Sequence, residues 1–455
     1  MFECLALLSL ATFVQPLSAS AAPLAQSDDS ASQTLWIRSD RIIVRPGEEI
    51  SGAVLIQDGR IIAVGPGLPA PEGARTLEGA VVCAGYLDAW STVGVEGATV
   101  ADKKLNPASR VIDAVDTHSF DKQREELLRA GVTTARVQGG ARGKIGGTGA
   151  VVRNDPNAGP GEIALLEEAC VTATIGVTVG NQTPDVFDRI DSVDKLVRLI
   201  EGGRSYRDRL ADYKEKLAEW EKEIAEKQKE LDKDFKKAKK KRDGDVEKAE
   251  EDGKTFKEKK YKEDKKPKAP RLDVDKEAMA KVESGELPLV VEVHRVPEIR
   301  ELLAKTAAFG RLRLILAGAT EASSLASEIA KRNIPVIVWP APMGNTRPNE
   351  YMRHDLELAG KLNGAGVKVL FGSGGSGAAG DLSALAALAV GHGMDRTAAL
   401  EALTLGPARS FDLSDRIGSV EPGKDADLLV LTGDPLDVAT RTSFVILNGV
   451  VVVEQ

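Results

Sequence analysis

Eight short apolar runs, separated by segments with helical spacing, most tightly limit how this chain can fold. They are Gly85–Ala89, Thr133–Gln138, Ala150–Arg153, Thr172–Val179, Leu289–His294, Arg313–Ala317, Pro335–Trp339 and Val367–Gly372. Strands alternating with helices argue for βα units and a parallel sheet. The expected class is α/β, a closed (β/α)8 TIM-like barrel over residues 84–407. Without the insertion described below, that stretch is about 240 residues, near the ~250 typical of such barrels.

The two ends of the chain read differently. In VLIQDGRIIAVG the pair Asp58-Gly59 separates two β-rich runs, and Asn448-Gly449 does the same in FVILNGVVVVEQ. Both pairs tolerate positive φ at each turn residue, as a two-residue hairpin requires. Residues 34–83 and 408–455 are therefore expected to form one composite β-sandwich domain that ties the ends together.

Residues 204–283 interrupt the barrel pattern and are dominated by Lys, Glu and Asp. Tyr206, Leu210, Tyr213, Leu217, Trp220, Ile224 and Leu231 fall on alternating four- and three-residue steps, with Lys227 at one seam position. That spacing is a heptad seam, the mark of a coiled-coil-like helical arm. A helix from Ser205 to Arg242 would be about 57 Å long at ~1.5 Å per residue. Asp243-Gly244-Asp245 offers a reversal, and Pro267 and Pro270 would end a returning helix. Two readings stand: an antiparallel arm packed on itself or on the barrel, and a coiled coil that makes a homodimer. The basic run KKAKKKR is flanked by acids and reads as a solvated face.

A formal charge of −8 argues against a general nucleic-acid binder. The apolar run Leu5–Val14, followed by Ala19-Ser20-Ala21, reads as a signal peptide over residues 1–21, with a flexible stretch over 22–33. Export to the periplasm or beyond, as a secreted protein, is the expectation, although the leading MFEC lacks the usual Lys or Arg. The run is too short to cross a bilayer, so no integral membrane span is expected after cleavage. Cys83 and Cys170 lie in apolar runs and read as buried thiols, with pairing left open.

Several stretches together resemble the amidohydrolase superfamily, in particular its imidazolonepropionase-like branch. They are VLIQDGRIIAVG, AGYLDA, AGVTTARV, IGGTGAVV, VEVHRVPEI, the segment around ATEAS, and AALEALTLGPARSFDLSDRIGSVEPGKDADLLVLTGDPLD. The resemblance implies a metal-bearing barrel capped by a small β domain and, in most members, hydrolysis of C–N bonds. Zn²⁺ takes imidazole nitrogen and carboxylate oxygen at about 2.0–2.2 Å, so its ligands must converge from several strand ends. The bound metal lowers the pKa of its water to about 7 and polarises the scissile carbonyl.

Carried over position by position, the ligand set is substituted. Trp90 and Thr92 stand where the first strand should end in His-x-His, and Asn181 where the fourth should offer an acidic ligand. Glu292 stands at the fifth-strand histidine with His294 two residues on, Gly318 at the sixth-strand histidine, and Gly374 at the last-strand aspartate. Of these, only Glu292 and His294 can ligate a metal. No metal site and no cofactor are expected from this set, and the seven positions are expected to line a ligand pocket instead. The chain has 4 histidines in all. His118 reads as a cap or surface residue, His392 as a helix-end residue, and His354 as belonging to a loop that can reach the barrel mouth. GGARGKIGG lacks the phosphate-loop spacing, and GSGGSG lacks that of a nucleophile elbow.

The substitutions also compensate in volume, since an indole is gained at Trp90 while Gly318 and Gly374 carry no side chain. Such exchange is what a packed interior tolerates. The first expectation is thus an exported, metal-free, non-catalytic homologue that binds a small-molecule ligand or a partner. The second is a zinc hydrolase of cyclic amides, acyl-amino acids or dipeptides, using Glu292, His294 and His354. The third is an interaction scaffold acting through the arm.

Overall fold

The structure, a computed structural model, describes residues 34–95, 106–117, 121–139, 145–159, 161–176, 185–251, 265–339, 355–375 and 379–455. The signal-peptide segment, His118, Asn181 and His354 lie outside them.

The chain opens with strands β1 (Leu35–Arg45), β2 (Glu48–Gln57), β3 (Arg60–Gly65) and β4 (Arg75–Ala84). A second group follows: β5 (Tyr86–Ser91), β6 (Val132–Val137), β7 (Ile145–Arg153), β8 (Ala164–Thr174), β9 (Leu289–Val293), β10 (Leu314–Gly318), β11 (Val336–Val338) and β12 (Val369–Phe371). The last three are β13 (Leu428–Leu431), β14 (Thr442–Leu447) and β15 (Val450–Glu454).

Strands β5 to β12 form an eight-stranded sheet in sequential order. The β5/β6 pair is parallel, as are all pairs from β8 to β12. The expected all-parallel arrangement fails at the third strand, because β7 runs antiparallel to both neighbours. The reason is connection length. Parallel neighbours need a crossover of about a dozen residues or more, and residues 138–144 between β6 and β7 are too few. The sheet closes at β5 and β12 without a regular ladder. There the Gly374 N–H donates to Trp90 O (3.2 Å), while the Ser373 N–H donates to Asp88 Oδ1 (2.9 Å).

The seven-stranded sheet has the order β15-β14-β13-β4-β1-β2-β3, so a block of C-terminal strands and a block of N-terminal strands join at β13/β4 into one layer. Its β3 edge is met by residues 423–426, through Ile61 N–H to Lys424 O (2.9 Å) and Gly423 N–H to Ile61 O (2.7 Å). The sheet thereby curls over a core that includes Leu35, Ile37, Val54, Ile61, Leu428 and Ile446. Both hairpin turns have the expected positive φ, 50° and 75° at Asp58 and Gly59, 48° and 79° at Asn448 and Gly449. The two turns also touch. A Cβ on Gly449 would stand 2.7 Å from the Gly59 Cα, so glycine is required for contact as well as for conformation.

An ionic node joins this sheet to the barrel. Arg153, at the end of β7, donates to Asp427 Oδ2 (2.9 Å) and Asp425 Oδ2 (3.0 Å). Arg416 and Arg60 pair with Asp425 as well, at 2.7 and 2.6 Å. Burial pushes the Asp427 carboxyl up, and Arg153 opposes that shift.

Helix α1 (Asp121–Arg129) precedes β6, and α2 (Val186–Glu251) follows β8. The expected arm helix, Ser205–Arg242 with a reversal at 243–245, is corrected. It belongs to one 66-residue helix that starts in the barrel wall and passes through the expected reversal. At ~1.5 Å per residue α2 is roughly 100 Å long. No proline occurs between Val186 and Glu251, and Gly244 lowers helix stability by about 1 kcal/mol without ending it. Helix α3 (Val274–Ser284) packs on α2 at Gly203, where a Cβ would lie 2.4 Å from the Met279 carbonyl carbon. Over the described side chains the seam positions are the covered ones: Tyr206 is buried, and Leu210, Tyr213, Leu217, Trp220 and Ile224 are half-buried between exposed neighbours, while the side chain of Leu231 lies outside those described. The base of the seam is covered by the chain's own return, with Lys266 Nζ 5.7 Å from the Trp220 ring. Among the described residues no helix is long and apolar enough to cross a membrane.

Candidate functional site

The barrel interior is apolar at one level and polar at the next. Leu87, Ala89, Cys170, Val290, Ile315, Ala317, Ile337 and Leu370 belong to one core cluster. Towards the C-terminal ends of the strands, where catalytic groups of such barrels sit, polar side chains take over. These are Arg136, Gln138, Thr172, Thr174, Glu292 and His294, all buried.

Trp90 occupies the middle of this level. It is 3% exposed, and its ring lies 5.2 Å from that of Trp339 at the end of β11, tilted by 34°. Arg136 Cζ stands 4.8 Å from the Trp90 ring centroid, a cation–π contact in a desolvated setting. Gly372 leaves room behind the indole, since a Cβ there would be 2.6 Å from the Trp90 Cβ. Trp90, Trp339 and Gly372 thus pack together at this level.

The other substituted positions gather around the same rings. A Cβ on Gly318 (φ +74°) would meet His294 Cε1 at 2.3 Å and Trp339 at 2.9 Å. A Cβ on Gly374 (φ +73°) would meet Trp339 at 3.0 Å. Thr92 Oγ1 lies 3.8 Å from where a Cβ on Gly375 would stand. His294 Nδ1 shares a 2.8 Å hydrogen bond with Thr320 Oγ1, and its Nε2 is 3.5 Å from Glu292 Oε1. The structure thus brings together Trp90, Thr92, Glu292, His294, Gly318 and Gly374. His392 caps the C-terminus of the helix Leu382–Gly391, as its position implied.

These residues do not fit the zinc site that the resemblance implies. Indole rings fill the space between the strand ends, and the glycines at 318 and 374 have no clearance for a ligating side chain. Among the described residues no group of three or more His, Cys, Asp or Glu is disposed to hold a metal.

Three residues of the site escaped the sequence reading. Asp88 is fully buried and closes the barrel: its Oδ1 accepts from Trp90 N–H (3.0 Å) and Ser373 N–H (2.9 Å). Burial pushes its carboxyl up to about 6, and the hydrogen bonds from Ser373 and Trp90 oppose the shift. Trp339 was placed on a strand but not at the site. Arg136 was quoted only within a framework motif, yet it is 0% exposed. Its signal was available, because period two along GVTTARVQ points Thr134, Arg136 and Gln138 to one face. Cys83 and Cys170 are both buried and unpaired. Burial drives the Cys83 thiol up to about 12.

Comparison with known proteins agrees with this architecture. The amidohydrolase family model matches residues 117–453. An amidohydrolase from Thermotoga maritima MSB8 is similar in structure, with a TM-score of 0.71 and 23% identity, over 92% of this chain and 100% of that one. A putative prolidase from Bifidobacterium longum has a TM-score of 0.52 and 14% identity, over 92% and 95% of the two chains. At these identities the likeness is one of fold. A curated adenine deaminase from Rubrobacter xylanophilus is 41% identical over 66 residues, which is 14% of this chain and 11% of that protein. With its family model spanning most of its length, this chain belongs to the amidohydrolase family.

Proposed function

We propose that this chain is an exported, metal-free member of its family that binds a small ligand at the barrel mouth without hydrolysing it. The observation that carries the reading is Trp90, buried against Trp339 and Arg136 where a metal ligand is expected. A zinc mechanism needs ligands from several strands and an open coordination position. The described residues offer Glu292 and His294 from a single strand. The test is metal analysis of protein incubated with excess Zn²⁺ and then dialysed. Well under one equivalent is expected, with no metal-dependent hydrolysis of cyclic amides, acyl-amino acids or dipeptides. Export is tested by N-terminal sequencing of the native protein, which is expected to begin near Ala22.

One pair of side chains favours a second reading. Glu292 and His294 are both buried, with 3.5 Å between Oε1 and Nε2, an acid–base pair slightly beyond the ~2.6–3.2 Å of direct proton transfer that a bound substrate would have to tighten. A hydrolase of C–N bonds built on this pair and a loop residue such as His354 would hold stoichiometric zinc. That zinc would be lost in Glu292→Ala, and the result would replace the first reading.

A further inference from the structure

Arg136 is a cation enclosed in the barrel, and among the described residues no carboxylate hydrogen-bonds to it; the buried Asp88 acts on it only through space. Its Nε donates to Ala89 O on β5 (2.7 Å), and Nη1 reaches Cys170 Sγ (3.6 Å) and Thr172 Oγ1 (3.5 Å) on β8. The rings of Trp90 and Phe411 flank it, with centroids 4.8 and 5.7 Å from Cζ. Gly149 on β7 lies against this group: a Cβ there would stand 2.9 Å from Val137 O and 3.2 Å from Cys170 Sγ, with Arg136 Nη1 in ordinary contact at 3.6 Å. With Nε and Nη1 engaged, Nη2 remains inside the barrel with no hydrogen-bond partner. Thr174, two residues beyond Thr172 and on the same face of β8, has an Oγ1 in the same condition.

Buried charges are ordinarily paired, and an unpaired buried donor costs stability. A guanidinium held this way, above unused hydroxyl capacity, has the composition of an oxyanion receptor with one member missing. We infer that the barrel interior binds a small monoanionic oxyanion of the carboxylate class, held by Arg136 Nη2 and Thr174 Oγ1. Glu292 is the register partner of Thr174 on β9, and its carboxylate disfavours a dianion at this place. Trp90 and Trp339 then form an aromatic wall beside the anion. The inference rests on the mouth being a ligand site, and it assigns that ligand's charged group.

The test uses purified protein dialysed against EDTA and titrated with sodium acetate or sodium bicarbonate, each against sodium chloride at equal ionic strength. A saturable rise in Tm and a change in near-UV tryptophan dichroism are expected from at least one oxyanion and not from chloride. Which of the two acts distinguishes an organic carboxylate from bicarbonate. Arg136→Met should abolish the response, and Thr174→Val should weaken apparent affinity at least threefold. Should Arg136→Met fail to fold, Arg136→Lys keeps the charge but loses the fork, and affinity should fall at least tenfold. Identical behaviour in oxyanion and chloride, or a response unchanged by these variants, overturns the inference. Stoichiometric zinc in protein loaded before chelation would instead overturn the metal-free reading, leaving the anion result to stand on its own.

Discussion

Truncating Trp90 to alanine measures how much the indole plug contributes to the barrel. Trp90 is 3% exposed, so deleting its ring removes a fully packed aromatic group. Large aromatic-to-alanine changes in cores cost about 3–5 kcal/mol, the cavity included. Two specific contacts go with it: the tilted pair with Trp339, worth ~0.5–1.5 kcal/mol, and the desolvated contact with Arg136, worth ~2 kcal/mol. These terms overlap with burial, so the expected loss is about 5 kcal/mol, at the top of the range. The assay is urea unfolding followed by near-UV dichroism, which reports the tryptophan environment and hence the barrel transition. Combining Trp90→Ala with Trp339→Leu should reveal a coupling of ~1 kcal/mol, because the two rings pack directly. A loss within ~0.5 kcal/mol would mark Trp90 as a surface or lid residue and refute the reasoning.

Restoring the family's ligands through Trp90→His, Thr92→His, Gly318→His and Gly374→Asp should not recover zinc affinity in a binding titration, since position 318 has φ +74° and no clearance from His294. Asp88→Asn should remove a pH dependence. The folded-state value of about 6 lies above that of a free aspartate, so the carboxyl's contribution is full below pH ~4 and is lost as pH rises through about 6. Stabilities from urea unfolding at pH 4.5 and 7 in wild type and variant should show a difference of about 2 kcal/mol from this group, since pH 4.5 already lies above the free-aspartate value. Arg153→Ala leaves Asp425 and Asp427 buried without their shared cation and should cost about 3–5 kcal/mol in the same assay. With the chain's return laid against Trp220, the arm should leave the chain monomeric in sedimentation at all concentrations. Trp220→Ala should speed amide exchange in residues 265–270, and a dimer that Trp220→Ala dissociates would show pairing in trans instead.

Strand positions, both hairpins and the heptad seam were legible because each rests on local periodicity or turn chemistry. The direction of β7 was not, although connection length carried the information: residues 138–144 are too few for a crossover. The start and end of α2 were missed for a related reason. Glycine and aspartate at 243–245 favour a turn, yet a helix already nucleated over many residues continues through weak formers at about 1 kcal/mol each. At the site, Trp90, Thr92, Gly318 and Gly374 were legible as departures from a motif. Trp339 was not, because its role comes from a pairing between strands distant in sequence, and for Arg136 the alternation along β6 gives the face but not the partners on β5 and β8.

The stretch GYLDAWST shows why architecture and metal chemistry can separate in this fold. Asp88 and Trp90 are two residues apart, yet one matches the family pattern and the other departs from it. Asp88 accepts two backbone N–H groups across the seam between β5 and β12, where no regular ladder forms. An apolar residue there would leave both donors buried and unpaired, at ~1–3 kcal/mol each. Position 90 carries no such duty through its side chain: its backbone O accepts from Gly374 N–H whichever side chain is present. What the side chain at 90 must do is fill volume, and an indole backed by Gly372 and faced by Trp339 does so. On the proposed metal-free reading, the closure hydrogen bonds are independent of the side chain at position 90, and the rings of Trp90 and Trp339 pack beside them. Arg136, held by Ala89 O and the Trp90 ring with no hydrogen-bonded carboxylate among the described residues, puts a positive centre rather than an apolar one beside the indole.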